Sequence, residues 1–252
     1  ELDIPDWFIL KPPPRKRAEI LHPAKYPEEL VQLFVSKLTA EGDNVFDPMS
    51  GTGSSQLGAI RLSRNAFGTE LSPFFAEIAR HRCSLLIEDL FLPKPQFRIE
   101  VMDARNALNS DFPPFDYIIT SPPYWDMLNM KGAENQAKRK EKGLQTNYSD
   151  DSDDLGNIND YQEFIKELAQ IYLNLSANLK LGGYLSIVVK NIKKKGRNYP
   201  FAWDLMYLLQ DDFDMLPEKF WCQDDIRLAP YGYGYTWVSN TFHQYCLSFR
   251  KK

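Results

Sequence analysis

Short runs of consecutive apolar residues alternate along this chain with stretches whose apolar positions recur every three or four residues. That pattern predicts buried strands alternating with surface helices. Leu30, Val31, Phe34, Val35 and Leu38 set a helix over 27–38. A strand at 44–47 then leads through a small-residue turn into a helix over 56–63, and a strand at 65–69 ending at Glu70 leads into a helix over 73–87. Strands follow at 97–102, closed by Asp103, and at 116–120. The clearest amphipathic helix runs from Asp160 to Lys180, with Asp160 as N-cap, Glu163 in capping-box relation, and Gly182-Gly183 as its stop. A buried strand over 184–189, a helix over 201–210 and two closing strands near 213–222 and 242–250 complete the pattern. Seven strands alternating with helices predict an α/β fold with a mostly parallel sheet covered on both faces. Two stretches break the alternation. Residues 1–20 are rich in Pro, Lys and Arg and read as an extended basic arm; residues 126–159 read as one long insertion with almost no apolar residue after Leu128.

Chemistry concentrates where strands end. After the apolar run Asp116–Thr120 comes Ser121-Pro122-Pro123-Tyr124. Consecutive prolines fix φ at about −65° and remove two N–H donors, which leaves the carbonyls around Pro122 without helix or sheet partners. A Ser hydroxyl beside a fixed carbonyl can accept hydrogen bonds from an exocyclic amino group, and the Tyr124 ring offers a face for a planar base. Taken alone, these four residues are more often a Pro-rich strand exit; the upstream context decides. There, Phe46-Asp47-Pro48-Met49-Ser50-Gly51-Thr52-Gly53 is a strand running into a Gly-x-Gly turn that opens a helix, a geometry suited to a carboxylate or phosphate. Glu70 and Asp103 follow at the next two strand ends; an acid about twenty residues after the Gly turn is placed to accept both ribose hydroxyls of an adenosine-type cofactor, while either acid taken singly reads equally as a helix N-cap or a loop solvator.

With these motifs in view, the chain resembles the S-adenosylmethionine-dependent DNA amino-methyltransferases, the enzymes that modify N4 of cytosine or N6 of adenine. The resemblance rests on Leu21-His22-Pro23-Ala24-Lys25-Tyr26-Pro27, on Phe46–Gly53, Glu70, Asp103 and Thr120–Tyr124, and on the ending His243–Lys251. It implies a Rossmann-like class I methyltransferase fold with S-adenosylmethionine as cofactor. In that assignment His22, Pro23 and Tyr26 close over the methionine end, and Phe46, Asp47, Pro48, Ser50, Gly51, Thr52 and Gly53 hold it. Glu70 with Leu71 takes the ribose, and Asp103 with Ala104 the adenine. Ser121, Pro122, Pro123 and Tyr124 are implied as the catalytic tetrapeptide, with Ser121 and the Pro122 carbonyl holding the two amino hydrogens of a flipped base. An SPPY tetrapeptide is associated in the family mainly with N4-cytosine; N6-adenine or a structured RNA are the alternatives, and a noncatalytic nucleic-acid-binding subunit is a further one. The cofactor motif precedes the catalytic one here, a circular permutation of the commoner order that leaves strand positions unchanged.

Composition narrows the setting. The 252 residues, 43% of them hydrophobic, suffice for one compact domain over 1–252. No apolar run approaches membrane-spanning length and no leader is visible, which predicts a soluble cytoplasmic protein. Cys83, Cys222 and Cys246 are too scattered for a metal site, and His22, His81 and His243 read as packing residues. Net charge is −4, yet three basic islands stand out: Lys11 with Arg15–Arg17, Lys138-Arg139-Lys140 with Lys142, and Lys190 with Lys193-Lys194-Lys195 and Arg197. The last two flank the expected cleft as phosphate contacts for DNA, most simply double-stranded. The aromatic segment Tyr231–Trp237 reads first as packing and second as a base-stacking surface. A homodimer or a partner specificity subunit is left open.

Overall fold

The computed structural model describes residues 3–11, 26–90, 94–125, 155–194, 197–224, 231–233, 236–238 and 241–252. Its centre is a nine-stranded sheet. Five parallel strands form one half: β2 (Asn44–Asp47), β3 (Asn65–Glu70), β4 (Phe97–Val101), β5 (Phe115–Thr120) and β6 (Leu179–Val189). They lie in the order β4-β3-β2-β5-β6. The sheet continues through β13 (His243–Lys251), antiparallel to β6, to β10 (Lys219–Cys222) and β1 (Trp7–Ile9). A short strand, β9 (Phe213–Met215), also pairs with β13. Two hairpins stand apart: β7 (Ile192–Lys194) with β8 (Arg197–Tyr199), and β11 (Tyr231–Tyr233) with β12 (Thr236–Val238).

Side chains alternate across a strand, so each central strand feeds two cores. Phe46, Ile118, Ile187 and Leu247 pack on one face beneath α4 (Tyr161–Leu175) and α5 (Phe201–Leu209). Their neighbours Val45, Tyr117, Val188 and Cys246 enter the other core, beneath α1 (Glu28–Leu38), α2 (Ser54–Ile60) and α3 (Pro73–Glu88). Both faces of β5 are therefore buried, which accounts for its unbroken apolar run. No helix among the described residues is long and apolar enough to cross a membrane.

Three expectations change. The strand count is nine rather than seven, first because β1, inside the expected basic arm, adds to the edge of β10. Second, the strand expected over 213–222 is interrupted around Pro217 into β9 and β10, while the Leu216 N–H still donates to the Ser248 carbonyl at 2.9 Å. Third, the helix expected to reach Lys180 stops at Leu175, and β6 already begins at Leu179. Gly182-Gly183 is thus not a helix stop. It is an irregularity inside β6, where pairing with β5 shifts between Phe115↔Leu179 and Tyr117↔Tyr184. Gly182 sits at φ +73, and a Cβ on Gly183 would stand 2.9 Å from the Asp116 and Lys180 carbonyl oxygens.

β2 is where the winding reverses, with β3 on one side and β5 on the other. Ligands in open α/β sheets bind at the carboxyl ends of strands flanking such a point. The ends of β2, β3, β4 and β5 carry Asp47–Gly53, Glu70, Asp103 and Ser121–Tyr124.

Candidate active site at the strand ends

The Gly-rich turn is built around a buried acid. Asp47 accepts the Met49 N–H at 2.9 Å on one oxygen and the Tyr26 hydroxyl at 3.2 Å on the other, which the Ser55 hydroxyl also reaches. Burial nevertheless holds its carboxyl above the ordinary range. Ser50 donates its N–H to the Thr69 carbonyl at 2.9 Å, and Thr69 returns a hydroxyl to the Pro48 carbonyl at 2.7 Å, tying the turn to β3. Gly51 (φ +54) and Gly53 (φ +83) adopt left-handed backbone that a side chain would strain. A Cβ on Gly53 would also lie 3.0 Å from the Ala79 Cβ.

Of the residues assigned to the cofactor, several lie beneath this turn. Phe46 is fully buried and stacks on Phe115 with ring centroids 4.2 Å apart. Tyr26 is buried, and its hydroxyl is committed to Asp47 and Ser55, which makes it a brace of the turn. Pro48, Ser50, Gly51, Thr52 and Gly53 are buried as well, while Glu70, Leu71, Asp103 and Ala104 are half-buried. His22 and Pro23 lie outside the described residues.

Glu70 clasps the turn from the next strand: Oε2 accepts the Gly51 N–H at 2.8 Å and Oε1 the Ser72 N–H at 2.9 Å. Asp103, one strand further, accepts the Arg105 N–H at 2.8 Å and pairs with the Arg105 guanidinium at 2.5 Å. Arg105 was missed by the sequence reading; its spacing of two from Asp103 was the available signal. The two carboxylates thus stand on adjacent strand ends, with Glu70 paired in register to Val101. As acceptors beside a glycine turn, the two carboxylates suit the donor hydroxyls of a ribose and an adenine amino group.

Ser121–Tyr124 continues β5 on the other side of β2. The Ser121 hydroxyl lies 3.5 Å from the Tyr124 hydroxyl, which donates to Gln244 Oε1 at 2.7 Å. Burial pushes the Tyr124 phenol up to about 12. Phe201 meets its ring edge to face at 6.3 Å, and the Lys190 ammonium, itself lowered by burial, stands 5.4 Å from the ring centroid. Pro122 is buried; Ser121, Pro123 and Tyr124 are half-buried. Gln244 escaped the sequence reading because it arrives from β13, 120 residues away. Lys190, of the third basic island, follows the end of β6 and stands over the Tyr124 ring.

Trp125 follows with φ +51, a strained value for a bulky residue. Its ring packs on Tyr161 at 5.4 Å and Tyr199 at 5.0 Å. The β7–β8 hairpin lies over this cluster, with Lys194 Nζ 3.5 Å from the Trp125 centroid and Arg197 5.0 Å from that of Tyr199. Lys193 shares the hairpin. Lys138, Arg139, Lys140 and Lys195 lie outside the described residues, as do residues 12–20, 126–154 and the side chains of the Tyr231–Trp237 segment. At the far end of the expected insertion, Leu155 is buried in the core.

A family model described as "DNA methylase" (N6_N4_Mtase) matches residues 4–81. Type II methyltransferase M.BglI of Bacillus subtilis is 36% identical over 105 residues, 42% of this chain and 28% of that protein. Orphan methyltransferase M.BamHII of Bacillus amyloliquefaciens is 39% identical over 61 residues, 24% of this chain and 23% of that one. The matched stretches thus span about a quarter of those relatives' length. Among solved structures, an rRNA methylase from Streptococcus thermophilus aligns over 90% of this chain and 97% of its own, with TM-score 0.51 and 10% identity. Magnesium protoporphyrin IX methyltransferase from Synechocystis PCC 6803, solved with bound SAH, aligns over 89% and 81%, with TM-score 0.50 and 12% identity. The fold is the Rossmann-like one of the class I methyltransferases.

Proposed function

We propose that this chain, whose residues 4–81 match the DNA methylase family model, is an S-adenosylmethionine-dependent methyltransferase acting on the exocyclic N4 amine of cytosine in DNA. The observation that carries the proposal is the common sheet edge. On it, an acceptor tetrapeptide at the end of β5 stands beside a glycine turn and two carboxylates at the ends of β2, β3 and β4. When bound, S-adenosylmethionine supplies an electrophilic methyl group on a sulfonium.

The chain's residues do the positioning. Glu70 and Asp103 accept from the ribose and adenine, and Glu70 also fixes the turn through Gly51. Ser121 Oγ and the Pro122 carbonyl accept the two hydrogens of the target amine, which frees its lone pair and stabilises positive charge growing on nitrogen. The Tyr124 ring, pinned by Gln244, supports the plane of the base. In a duplex that amine is paired, so the base must leave the stack. The β7–β8 ribbon, with Lys193, Lys194 and Arg197, holds phosphates near this corner. Cytosine is preferred to adenine on the serine-headed tetrapeptide.

Methyl-labelled S-adenosylmethionine, incubated with the protein and mixed-sequence DNA or total RNA, tests this by nucleoside mass spectrometry. Labelled N4-methylcytosine in DNA is expected. Label at adenine N6 or in RNA would keep the chemistry and replace the substrate. Cofactor binding without any transferred label would overturn the enzyme.

A further inference from the structure

The sheet's outer end carries rings on a face that no described helix covers fully. Cross-strand partners point to the same side, so Trp7↔Phe220 and Phe220↔Tyr245 align three aromatic side chains in one row. The adjacent row is Ile9, Cys222 and His243. On the opposite face of the same strands Trp221 is buried, and Phe8 packs against the second core. On this face Trp7 is 64% exposed; Phe242, against His243, and Trp203, against Tyr245, are 46% and 45% exposed. Ring centroids run continuously: Trp203 to Tyr245 at 5.9 Å, Tyr245 to Phe220 at 5.4 Å, Tyr245 to His243 at 5.3 Å, and His243 to Phe242 at 5.4 Å.

The surface joins the candidate active site directly. Trp203, whose ring meets Tyr245, lies two residues beyond Phe201, which packs on the Tyr124 ring, and Gln244, which accepts from the Tyr124 hydroxyl, stands between His243 and Tyr245 on β13 with its side chain on the opposite face beside Trp221. Asn191 bridges the two parts, accepting the Ala202 N–H at 3.0 Å and reaching the Tyr245 hydroxyl at 3.5 Å. The basic ribbon borders it at Lys193: burial, and after it the Lys193 charge, hold the His243 imidazole below its ordinary range.

We infer that the β1–β10–β13 face is a platform on which unpaired bases flanking the target stack. Aromatic rings on a sheet, edged by cations and continuous with a base-binding corner, are the combination by which single strands are held without sequence preference. The inference rests on the proposed nucleic-acid substrate and adds that the enzyme engages that substrate in an unpaired form.

Fluorescence anisotropy with a labelled oligodeoxythymidine and with a matched duplex tests it, alongside label transfer by the unmodified protein. Trp7→Ala and Trp203→Ala should each weaken single-strand affinity by about 5- to 100-fold, with the salt dependence of binding unchanged. Trp7→Phe and Trp203→Tyr should restore it, which separates ring loss from misfolding. Alanine variants that bind the oligonucleotide like the unmodified protein would overturn the platform while leaving methyl transfer intact. An unmodified protein that transfers label but prefers the duplex, or one whose self-association is what Trp7→Ala abolishes, would also overturn it. Absence of both label transfer and oligonucleotide binding would instead mark failure of the proposed function itself.

Discussion

Tyr124 is held at three points, by Gln244 at its hydroxyl, Phe201 at its ring edge and Lys190 near its ring face. If the ring supports the base and the hydroxyl only fixes the ring, the two parts separate by substitution. Tyr124→Phe should retain methyl transfer within about tenfold, whereas Tyr124→Ala should lose about 100-fold, the worth of one base–ring stack plus its alignment. Calorimetric affinity for the cofactor should be unchanged in both. Glu70→Ala should do the opposite, weakening cofactor affinity by about 10- to 100-fold through loss of charge-assisted hydrogen bonds. An unaltered calorimetric Kd would remove Glu70 from the ribose role. Ser121, Tyr124, Glu70 and Asp103 were legible in the sequence because they stand at the ends of three strand runs, β5, β3 and β4, where chemistry and periodicity coincide. Gln244 and Arg105 were not. Gln244 reaches Tyr124 only through the pairing of β13 with β6, and Arg105 takes up Asp103 through a local turn that strand periodicity does not describe.

At the scale of elements, local chemistry predicted starts better than stops. The Asp160 side chain accepts the Glu163 N–H at 2.9 Å, as its place before an amphipathic run implied. Asp160→Ala should therefore cost about 1 kcal/mol in urea unfolding, with methyl transfer preserved. The glycine pair at 182–183 misled because glycine serves helix ends and strand irregularities equally. What distinguishes them is the Asp116 carbonyl of β5, whose position relative to Gly183 depends on a strand partner more than sixty residues away. The same holds for Gly53, where both φ +83 and the approach of Ala79 on α3 demand glycine. Gly53→Ala should destabilise the protein by about 1–3 kcal/mol and raise the cofactor Kd as the turn shifts; a stable variant with unaltered Kd would show that the turn yields.

For the whole molecule, the relevant electrostatic quantity is where charge lies, since a net charge of −4 repels a polyanion on average. Attraction to DNA must then come from one edge. Among the described residues, the β7–β8 ribbon brings Lys193, Lys194 and Arg197 to the rim of the corner that holds Ser121 and Tyr124. Each residue that neutralises a phosphate releases a counterion, and its removal should flatten the dependence of log affinity on log salt by about 0.7 to 0.9. Lys193→Gln and Arg197→Gln, measured with one duplex across a salt series, should each produce that change. Loss of affinity without a change of slope would mean that these side chains shape the Trp125–Tyr199 cluster instead of meeting phosphate. Lys194→Gln is the harder case, because its ammonium already rests on the Trp125 ring. There both effects should combine: a flatter slope from the lost phosphate contact, and a lower methylation rate as Trp125, strained at φ +51 directly after the tetrapeptide, loses its cover.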